Sequence, residues 1–275
     1  MKKASWGGKV LVGIMFLFLY LPILVLVVFS FNASKSRSVW AGFTFDWYKE
    51  LITNSTVLSS LTTTLEISIL AAVISTVIGT FAAIGFYNMK KRYRTPLMTI
   101  NNIPVMNADI ITGVSLALLF ISGGSILHYS LGFGTLLLAH ISFDIPYVIL
   151  SVMPKLYQLD KNQVDAARDL GCTWMQAFIK VIIPEISPGI FSGMMIAFTM
   201  SIDDFVISYF TAGSKVQTLS MTIYAMTRKR VSPEINALST ILFVFVLLML
   251  IIINAFQARQ DKIQKKKEQA LRKAG

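Results

Sequence analysis

Long apolar runs separated by shorter polar segments dominate the chain up to about residue 256. Six of these runs reach about 20 residues or more, the length of a helix that crosses the hydrocarbon core of a bilayer. None of the six contains a Lys or Arg. The pattern therefore predicts an all-α membrane protein with six transmembrane helices. The predicted spans are Val10–Phe31, Ser59–Tyr87, Pro96–Ile121, Gly134–Met153, Pro188–Ala212 and Asn236–Phe256.

The composition separates this chain from soluble proteins. Hydrophobic residues make up 55% of its 275 residues and charged residues 14%, whereas soluble domains average roughly 45–50% and about 25%. This balance excludes a cytosolic enzyme, a secreted disulfide scaffold and a disordered tail protein. A single cysteine, Cys172, permits no internal disulfide and no cysteine-based metal site. We therefore expect an integral membrane protein without a metal site.

The Lys and Arg residues are unevenly divided between the segments that connect the spans. With the N-terminus in the cytoplasm, 18 of the 25 cations lie in inner segments, so the positive-inside rule predicts that both termini are cytoplasmic. The first apolar run has 22 residues, more than the roughly 7–15 of a signal peptide, which favours an uncleaved helix.

The predicted organisation has three parts. They are an N-terminal helix with an outer loop (1–58), a transmembrane domain (59–256) and a basic tail (257–275). The tail is expected to bind anionic membrane lipid. The net charge of +11 is explained by this distribution, so no nucleic-acid partner is predicted.

Five carboxylates but no Lys or Arg lie inside the predicted spans: Glu66, Asp109, Asp144, Asp203 and Asp204. An acid near the bilayer centre costs about 2.5–3.5 kcal/mol, so five acids facing lipid would cost about 15 kcal/mol. The whole stability of a typical domain is only about 5–15 kcal/mol. The acids must therefore face a wet cavity, meet a partner's basic group or become protonated. A one-sided excess of acid along a pathway favours multivalent cations as the solute.

Span five holds the strongest candidate pathway. Its polar stripe at helical spacing consists of Ser201, Asp204, Ser208 and Thr211. Asp204 is the first choice for pairing with an ammonium group, and Tyr209 is placed to cover the carbon chain of an organic cation. The full set of predicted pathway residues is Asp204, Asp203, Asp109, Ser201, Ser208, Tyr209 and Glu66.

Several polar residues in the spans have a second interpretation. Asp203 lies on another face of the helix and either lines the pathway or contacts a partner permease. Asp109 either lines the pathway or satisfies backbone groups that a nearby proline frees. A structural role is favoured for Glu66 and Asp144, and His140 is expected to be a hydrogen-bonded interior residue.

The longest inner connection contains signals for two short helices joined by a sharp turn. Asp160 is placed to cap the first helix, Gly171 to end it and Thr173 to cap the second. The second helix is predicted to end near Pro184, because proline disfavours helix in the residue before it. Its apolar face would be Trp174, Phe178, Val181 and Ile182. We expect a compact cytoplasmic projection, the knob (160–184).

The residue order in the knob resembles a known motif. Asp165-Ala166-Ala167, then Gly171, then Val181-Ile182-Ile183-Pro184 resembles the loop of ABC-importer permeases that is named after its Glu-Ala-Ala sequence, with matching spacing. The chain departs from that motif at Asp165, where the family usually has Glu. The shorter carboxylate keeps the charge but reaches less far.

Other stretches resemble the spermidine/putrescine permease subunits, in particular the C-type subunit, among the binding-protein-dependent type I ABC importers. They are Leu21–Ile23, Phe29–Asn32, Phe45–Tyr48, Phe198–Asp204 and Ser232–Leu238. The resemblance covers nearly the whole chain. It implies the type I ABC-importer permease fold and a translocation pathway for polyamines.

The resemblance also implies partners and a coupling site. The chain would pair with a second permease subunit over a dimer of ATPase subunits, and an extracytoplasmic binding protein would deliver polyamine. The chain has no Gly-x-x-x-x-Gly-Lys-Ser/Thr phosphate loop, so it is predicted to be neither an enzyme nor the holder of a cofactor, with ATP on the partner. The implied coupling residues, in the loop 154–187, are Asp165, Ala166, Ala167, Gly171, Trp174, Phe178 and Pro184.

Three alternatives stay open at this stage. An ABC permease for another small cationic or amino-acid-like solute would share the same motifs. An ion-coupled secondary transporter would use the acids of the spans as proton relays. An intramembrane hydrolase would use Asp109 and Asp204 as a pair of catalytic acids.

Overall fold

The structure, a computed structural model, describes residues 6–34, 39–229 and 233–274. These ranges are helical apart from their connections and one isolated antiparallel bridge between Asn32 and Phe43. The helices are α1 (Trp6–Phe29), α2 (Asp46–Thr53), α3 (Ser55–Asn88), α4 (Lys91–Met106), α5 (Asp109–Leu127), α6 (Phe133–Gln158), α7 (Lys161–Asp169), α8 (Trp174–Ala177), α9 (Ile183–Asp203), α10 (Val206–Thr211), α11 (Leu219–Lys229) and α12 (Pro233–Ala274). A π-helical turn, Phe178–Ile182, joins α8 to α9.

Six helical segments in the described ranges are long and apolar enough to cross a membrane, which confirms the count predicted from the hydrophobic pattern. They are Gly7–Phe29, Ser55–Asn88, Asp109–Leu127, Phe133–Gln158, Trp174–Asp203 and Pro233–Ala255. Ser232 and most side chains of the predicted tail, 257–275, lie outside the described residues. The cytoplasmic location of the termini and the three-part division of the chain stay predictions.

The third predicted span is not a single helix, and this part of the prediction is wrong. α4 ends at Met106 and α5 begins at Asp109, because Asn107 and Ala108 have extended ψ angles of 154° and 136°. Pro104 weakens the end of α4, since it lacks the N–H that would bond to the carbonyl four residues earlier. Asp109 is therefore the first residue of a spanning helix and not a residue in the middle of one.

The fifth predicted span is also interrupted. α9 ends at Asp203, and Asp204 has an extended ψ of 127°. The helix resumes only at Val206, as the first residue of α10. The prediction of one continuous helical stripe along this span is therefore wrong. We call the interruption, Asp204–Phe205, the break.

The knob begins as the capping signals predict. The Asp160 carboxylate accepts a hydrogen bond from the Asn162 N–H at 3.0 Å and caps α7. Gly171 follows with a φ of 87°, a left-handed conformation that favours glycine. Thr173 and Gln176 then form a reciprocal capping box at the start of α8. Local side-chain chemistry is enough to specify these two helix starts.

The predicted helix end near Pro184 is wrong, because the chain stays helical from Trp174 to Asp203. In the π turn the Ile183 N–H bonds to the Phe178 carbonyl, five residues earlier. Pro184 then lies in the first turn of α9, where the absence of its N–H leaves no helical bond unmade. The knob and the fifth span are consequently parts of one helical rod.

The described chain forms two compact units, 1–59 with 222–248 and 60–221 with 249–275. In the first unit, Asn32 organises the loop that follows α1. Its side chain accepts the Ala41 N–H at 2.9 Å and donates to the Val39 carbonyl at 2.8 Å. Its carbonyl accepts the Trp47 indole N–H at 2.8 Å. The aromatic residues that the sequence concentrates here therefore belong to a folded loop.

In the second unit, α6 packs closely against α3 and α9 at Val148, which has no exposed surface. A Cβ added to Gly79 would lie 2.8 Å from Val148 Cβ, and one added to Gly193 would lie 3.1 Å from Val148 Cα. Gly189, four residues before Gly193, approaches the Ser151 carbonyl in the same way. Small residues four apart let membrane helices approach closely. This packing holds α6 against the span that contains the break.

Candidate functional site

The five acids of the spans lie in two different environments. Asp144 has no exposed surface, and the side chain of Asp204 is 7% exposed. Asp109, Asp203 and Glu66 are exposed on the surface of this chain. Of the two adjacent residues, Asp203 is therefore exposed and Asp204 is buried. The sequence pattern predicts the reverse order, with Asp204 as the first choice for contact with the solute.

Asp204 uses its carboxylate to restart the helix after the break. Its Oδ1 accepts the Ile207 N–H at 3.2 Å, and its Oδ2 accepts the Ser208 N–H at 2.7 Å. These N–H groups have no partner within the first turn of α10, so a side-chain acceptor before the helix satisfies them. Asp204 thus acts as the cap of α10, with little of its carboxylate left to meet a solute.

Behind the break lies a set of hydrogen-bonded buried side chains, the buried network: His140, Asp144, Ser201, Asp204 and Ser208. His140 Nδ1 is 3.0 Å from Ser201 Oγ, and His140 Nε2 is 3.0 Å from Ser208 Oγ and 3.6 Å from Asp204 Oδ2. The Ser201 hydroxyl donates to Asp144 Oδ2 at 2.7 Å. Through Ser201 the His140 ring is therefore connected to Asp144.

The buried network joins elements that are far apart in the sequence. His140 and Asp144 lie four residues apart on one face of α6. Ser201 lies in α9 before the break, and Ser208 lies in α10 after it. The histidine ring thus contacts both sides of the break. The expectation that His140 is a hydrogen-bonded interior residue is confirmed.

Three polar side chains near the break are exposed on the surface of this chain. Asp203 is the last residue of α9, and Tyr209 in α10 is 50% exposed and packs against Phe205, with ring centroids 5.4 Å apart. Asp109 is the first residue of α5, the helix that packs against α10. Gly113 allows α5 to approach α10, since a Cβ at this position would lie 3.3 Å from the Cα of Ile207. We call Asp109, Asp203 and Tyr209 the exposed group.

The predicted pathway residues thus fall into three sets. Asp109, Asp203 and Tyr209 form the exposed group, and Ser201, Asp204 and Ser208 belong to the buried network. Glu66 lies exposed on α3, outside both sets. Their role in transport stays a prediction. Within the described ranges, no three His, Cys, Asp or Glu side chains are grouped so as to hold a metal ion.

The sequence did not predict that His140 and Asp144 contact Ser201 and Ser208. A signal was available in the spacing, because the first pair lies four apart and the second seven apart, both on one helical face. The partner of each face could not be inferred from these spacings.

The coupling residues predicted in the knob lie together at the end of the helical rod. Asp165, Ala166, Gly171 and Pro184 are exposed, Ala167 is half-buried, and Trp174 is 56% exposed. Phe178 is buried, and its ring stacks between Trp174 and Phe81 of α3, with centroids 5.4 and 6.5 Å away. A cavity of about 210 Å³ lies between the knob and the ends of α3 and α6.

These features define a class of protein. Six helices in the described ranges that are long enough to cross a membrane, interruptions beside acidic residues and a helical knob that continues into a span are the architecture of a membrane transport component. The chain belongs to the family of binding-protein-dependent transport system inner membrane components, which it matches over residues 75–266.

Relatives are about a third identical to this chain over the three quarters of it that they match. The spermidine/putrescine transport system permease protein PotC of Haemophilus influenzae is 35% identical over 213 residues, 78% of this chain and 81% of the relative. The putrescine transport system permease protein PotI of Escherichia coli K12 is 36% identical over 213 residues, 76% of each chain.

Solved structures confirm the fold. One chain of a bacterial ABC transporter involved in the import of the acidic polysaccharide alginate superposes with a TM-score of 0.69, at 16% identity, over 91% of this chain and 94% of that one. A chain of the MetNI methionine ABC transporter superposes with a TM-score of 0.59, at 20% identity, over 74% of this chain and 95% of that one. The fold is that of ABC-importer permeases, as the sequence predicts.

Proposed function

We propose that this chain is a permease subunit of an ATP-driven importer and forms part of the pathway for polyamines such as spermidine or putrescine. The relatives named above are permeases of spermidine/putrescine and putrescine transport systems. The exposed group supports the same substrate class, because two carboxylates attract ammonium groups and an aromatic ring covers the methylenes between them.

The proposed assembly contains three kinds of partner. A second permease subunit completes the pathway, a separate ATPase dimer binds ATP and contacts the knob, and an extracytoplasmic binding protein delivers the polyamine. The exposed Trp174 ring and the Asp165 carboxylate offer the ATPase one apolar and one charged contact. The specificity for individual polyamines then depends on the binding protein as well as on the pathway.

The observation that carries the mechanism is the continuous helix from the knob to the break. It comprises 30 residues, Trp174 to Asp203, and spans about 45 Å at the usual rise. When ATP closes the ATPase dimer, a displacement of the knob is transmitted along this rod to the break. The exposed group moves with it, so the carboxylates face the outside in one state and the cytoplasm in the other.

Transport by the complete complex in liposomes tests this function. We expect uptake of labelled spermidine that requires enclosed ATP, continues in the presence of a protonophore and is inhibited by excess putrescine. The same liposomes without ATP are the control. Uptake that the protonophore abolishes would instead identify an ion-coupled transporter, and uptake insensitive to putrescine would identify another solute.

A further inference from the structure

The angle between the two helices at the break is held by a residue of another helix, α6. No regular backbone ladder connects α9 to α10 through Asp204 and Phe205, so their relative direction depends on side chains. Ser201 and Ser208, one on each side, are both held by the same ring of His140 at 3.0 Å. The imidazole is therefore a strut between the two helices, fixed on the close-packed helix α6.

Burying so many polar side chains carries a free-energy cost that a purely structural role does not explain. All five side chains of the buried network are nearly or fully buried, and a buried polar group left without a partner destabilises the fold. A continuous apolar helix at this depth would require none of these bonds. Residues that lower the stability of a fold are found mainly at functional sites. The exposed group is the candidate for that function, since Asp203 precedes the break directly and Tyr209 follows it in α10.

We propose that His140 is a positioning residue for transport: by holding Ser201 and Ser208 across the break, it fixes the direction in which Asp203 and Tyr209 face the pathway. This inference rests on the proposed function, because it assumes that the exposed group contacts the transported cation. His140 itself does not contact the cation, since only 1% of its surface is exposed. It acts through the backbone of the break.

Three replacements of His140 separate its two bonds. His140→Phe keeps a ring but removes both nitrogens. His140→Asn keeps a polar group near the Nδ1 position and so the bond to Ser201, and His140→Gln keeps a polar group near Nε2 and so the bond to Ser208. In the reconstituted complex we expect His140→Phe, which loses both bonds, to raise the KM for spermidine about tenfold or more. The Asn and Gln variants should show smaller increases and serve if the Phe variant does not assemble.

Thr211→Val is the matched control. Thr211 has no exposed surface and lies in α10, but its hydroxyl donates to the Ile207 carbonyl within the same helix, at 2.8 Å. The substitution removes a buried polar bond of α10 without touching the strut. We expect an unchanged KM. An increase equal to that of His140→Phe would mean that any loss of a buried bond has this effect, and it would overturn the proposal.

A double-mutant cycle with Asp203→Asn decides whether His140 acts through the exposed group. If it does, His140→Phe raises the KM in the wild-type background but has little further effect once Asp203 is already Asn. Independent, additive increases in the KM would overturn the positioning role.

A labelling experiment distinguishes failure of this proposal from failure of the proposed function. In a Cys172→Ala background, Tyr209→Cys reports the exposure of the break to a water-soluble thiol reagent. We expect His140→Phe to change its labelling rate severalfold and Thr211→Val to leave it unchanged. An unchanged rate with His140→Phe would refute the positioning. A changed rate together with a normal spermidine KM for Asp203→Asn would refute the pathway role of the exposed group instead.

Discussion

The knob and the break lie at the two ends of one helical rod, Trp174 to Asp203, yet different interactions specify their conformations. In the knob, every residue that starts or ends a helix lies within a few positions of its partner, as with Thr173 and Gln176. At the break, the side chain that connects the two helices comes from His140, more than 60 residues away in the sequence. The conformation of the knob is therefore specified by residues close in sequence. The conformation of the break is specified by a contact that forms only in the folded protein.

This difference matters for the proposed mechanism. A locally specified knob keeps its shape while it moves against a partner, since its caps move with it. A break held by another helix changes when the two helices shift relative to each other. The arrangement therefore combines a rigid helical rod with a break whose conformation depends on the position of α6.

Removal of the Asp204 carboxylate is expected to have the largest effect, because it disrupts the break. Asp204→Ala leaves the N–H groups of Ile207 and Ser208 without acceptors, at about 1–3 kcal/mol each. We expect loss of uptake and a marked fall in the thermal midpoint of the purified complex. Asp160→Ala, the same change at the exposed cap of α7, should cost only about 1 kcal/mol. Equal falls for both variants would remove the distinction between the two regions.

Conversion of Gly171 to proline should have the next largest effect, and on coupling instead of folding. The φ of 87° at this position cannot be adopted by proline, whose φ is about −65°. We expect Gly171→Pro to keep ATP hydrolysis but to lower polyamine uptake per ATP about tenfold, as two parallel assays on proteoliposomes would measure. Gly42→Pro, at a second glycine with positive φ outside the knob, is the control. Normal coupling in the Gly171 variant would argue against transmission along the rod.

Comparison of the two neighbouring aspartates tests the exposed group. Asp203→Asn removes an exposed charge and is expected to raise the spermidine KM about tenfold. Asp204→Asn retains an oxygen that accepts from α10, so a smaller increase is expected. Initial rates of uptake over a range of spermidine concentrations measure both. The reverse order would restore Asp204 as the residue that contacts the cation.

Loss of one cap in the knob should have the smallest effect. Thr173→Ala removes the acceptor of the Gln176 N–H and costs about 1 kcal/mol in local helix stability. Because the helix continues through the π turn into the membrane, we expect uptake to fall less than threefold. Hydrogen exchange of the amides of α8 should detect the local loosening, and protection equal to that of the wild type would show that the capping box is dispensable.

Patterns within a few residues or a few turns were sufficient to predict the spans and the knob. Apolar runs are long enough to define six crossings, and the signals around Asp160, Gly171 and Thr173 identified both helix starts. The prediction failed at Pro184, because a π turn depends on packing such as the stack of Phe178 between Trp174 and Phe81. It also failed at Asp204, where a continuous helix was predicted. The helix ends there, and the Asp204 carboxylate caps the next one.

By itself the sequence determined the membrane location, the number of spans, the family and the local shape of the knob, since hydrophobic length and capping act between near neighbours. Tertiary structure alone decided which of two adjacent aspartates is buried and which faces outward. The reason is that a polar group can be buried only where partners meet it, and the partners of Asp204 and Ser201 on α6 are brought to them by the close packing around Val148.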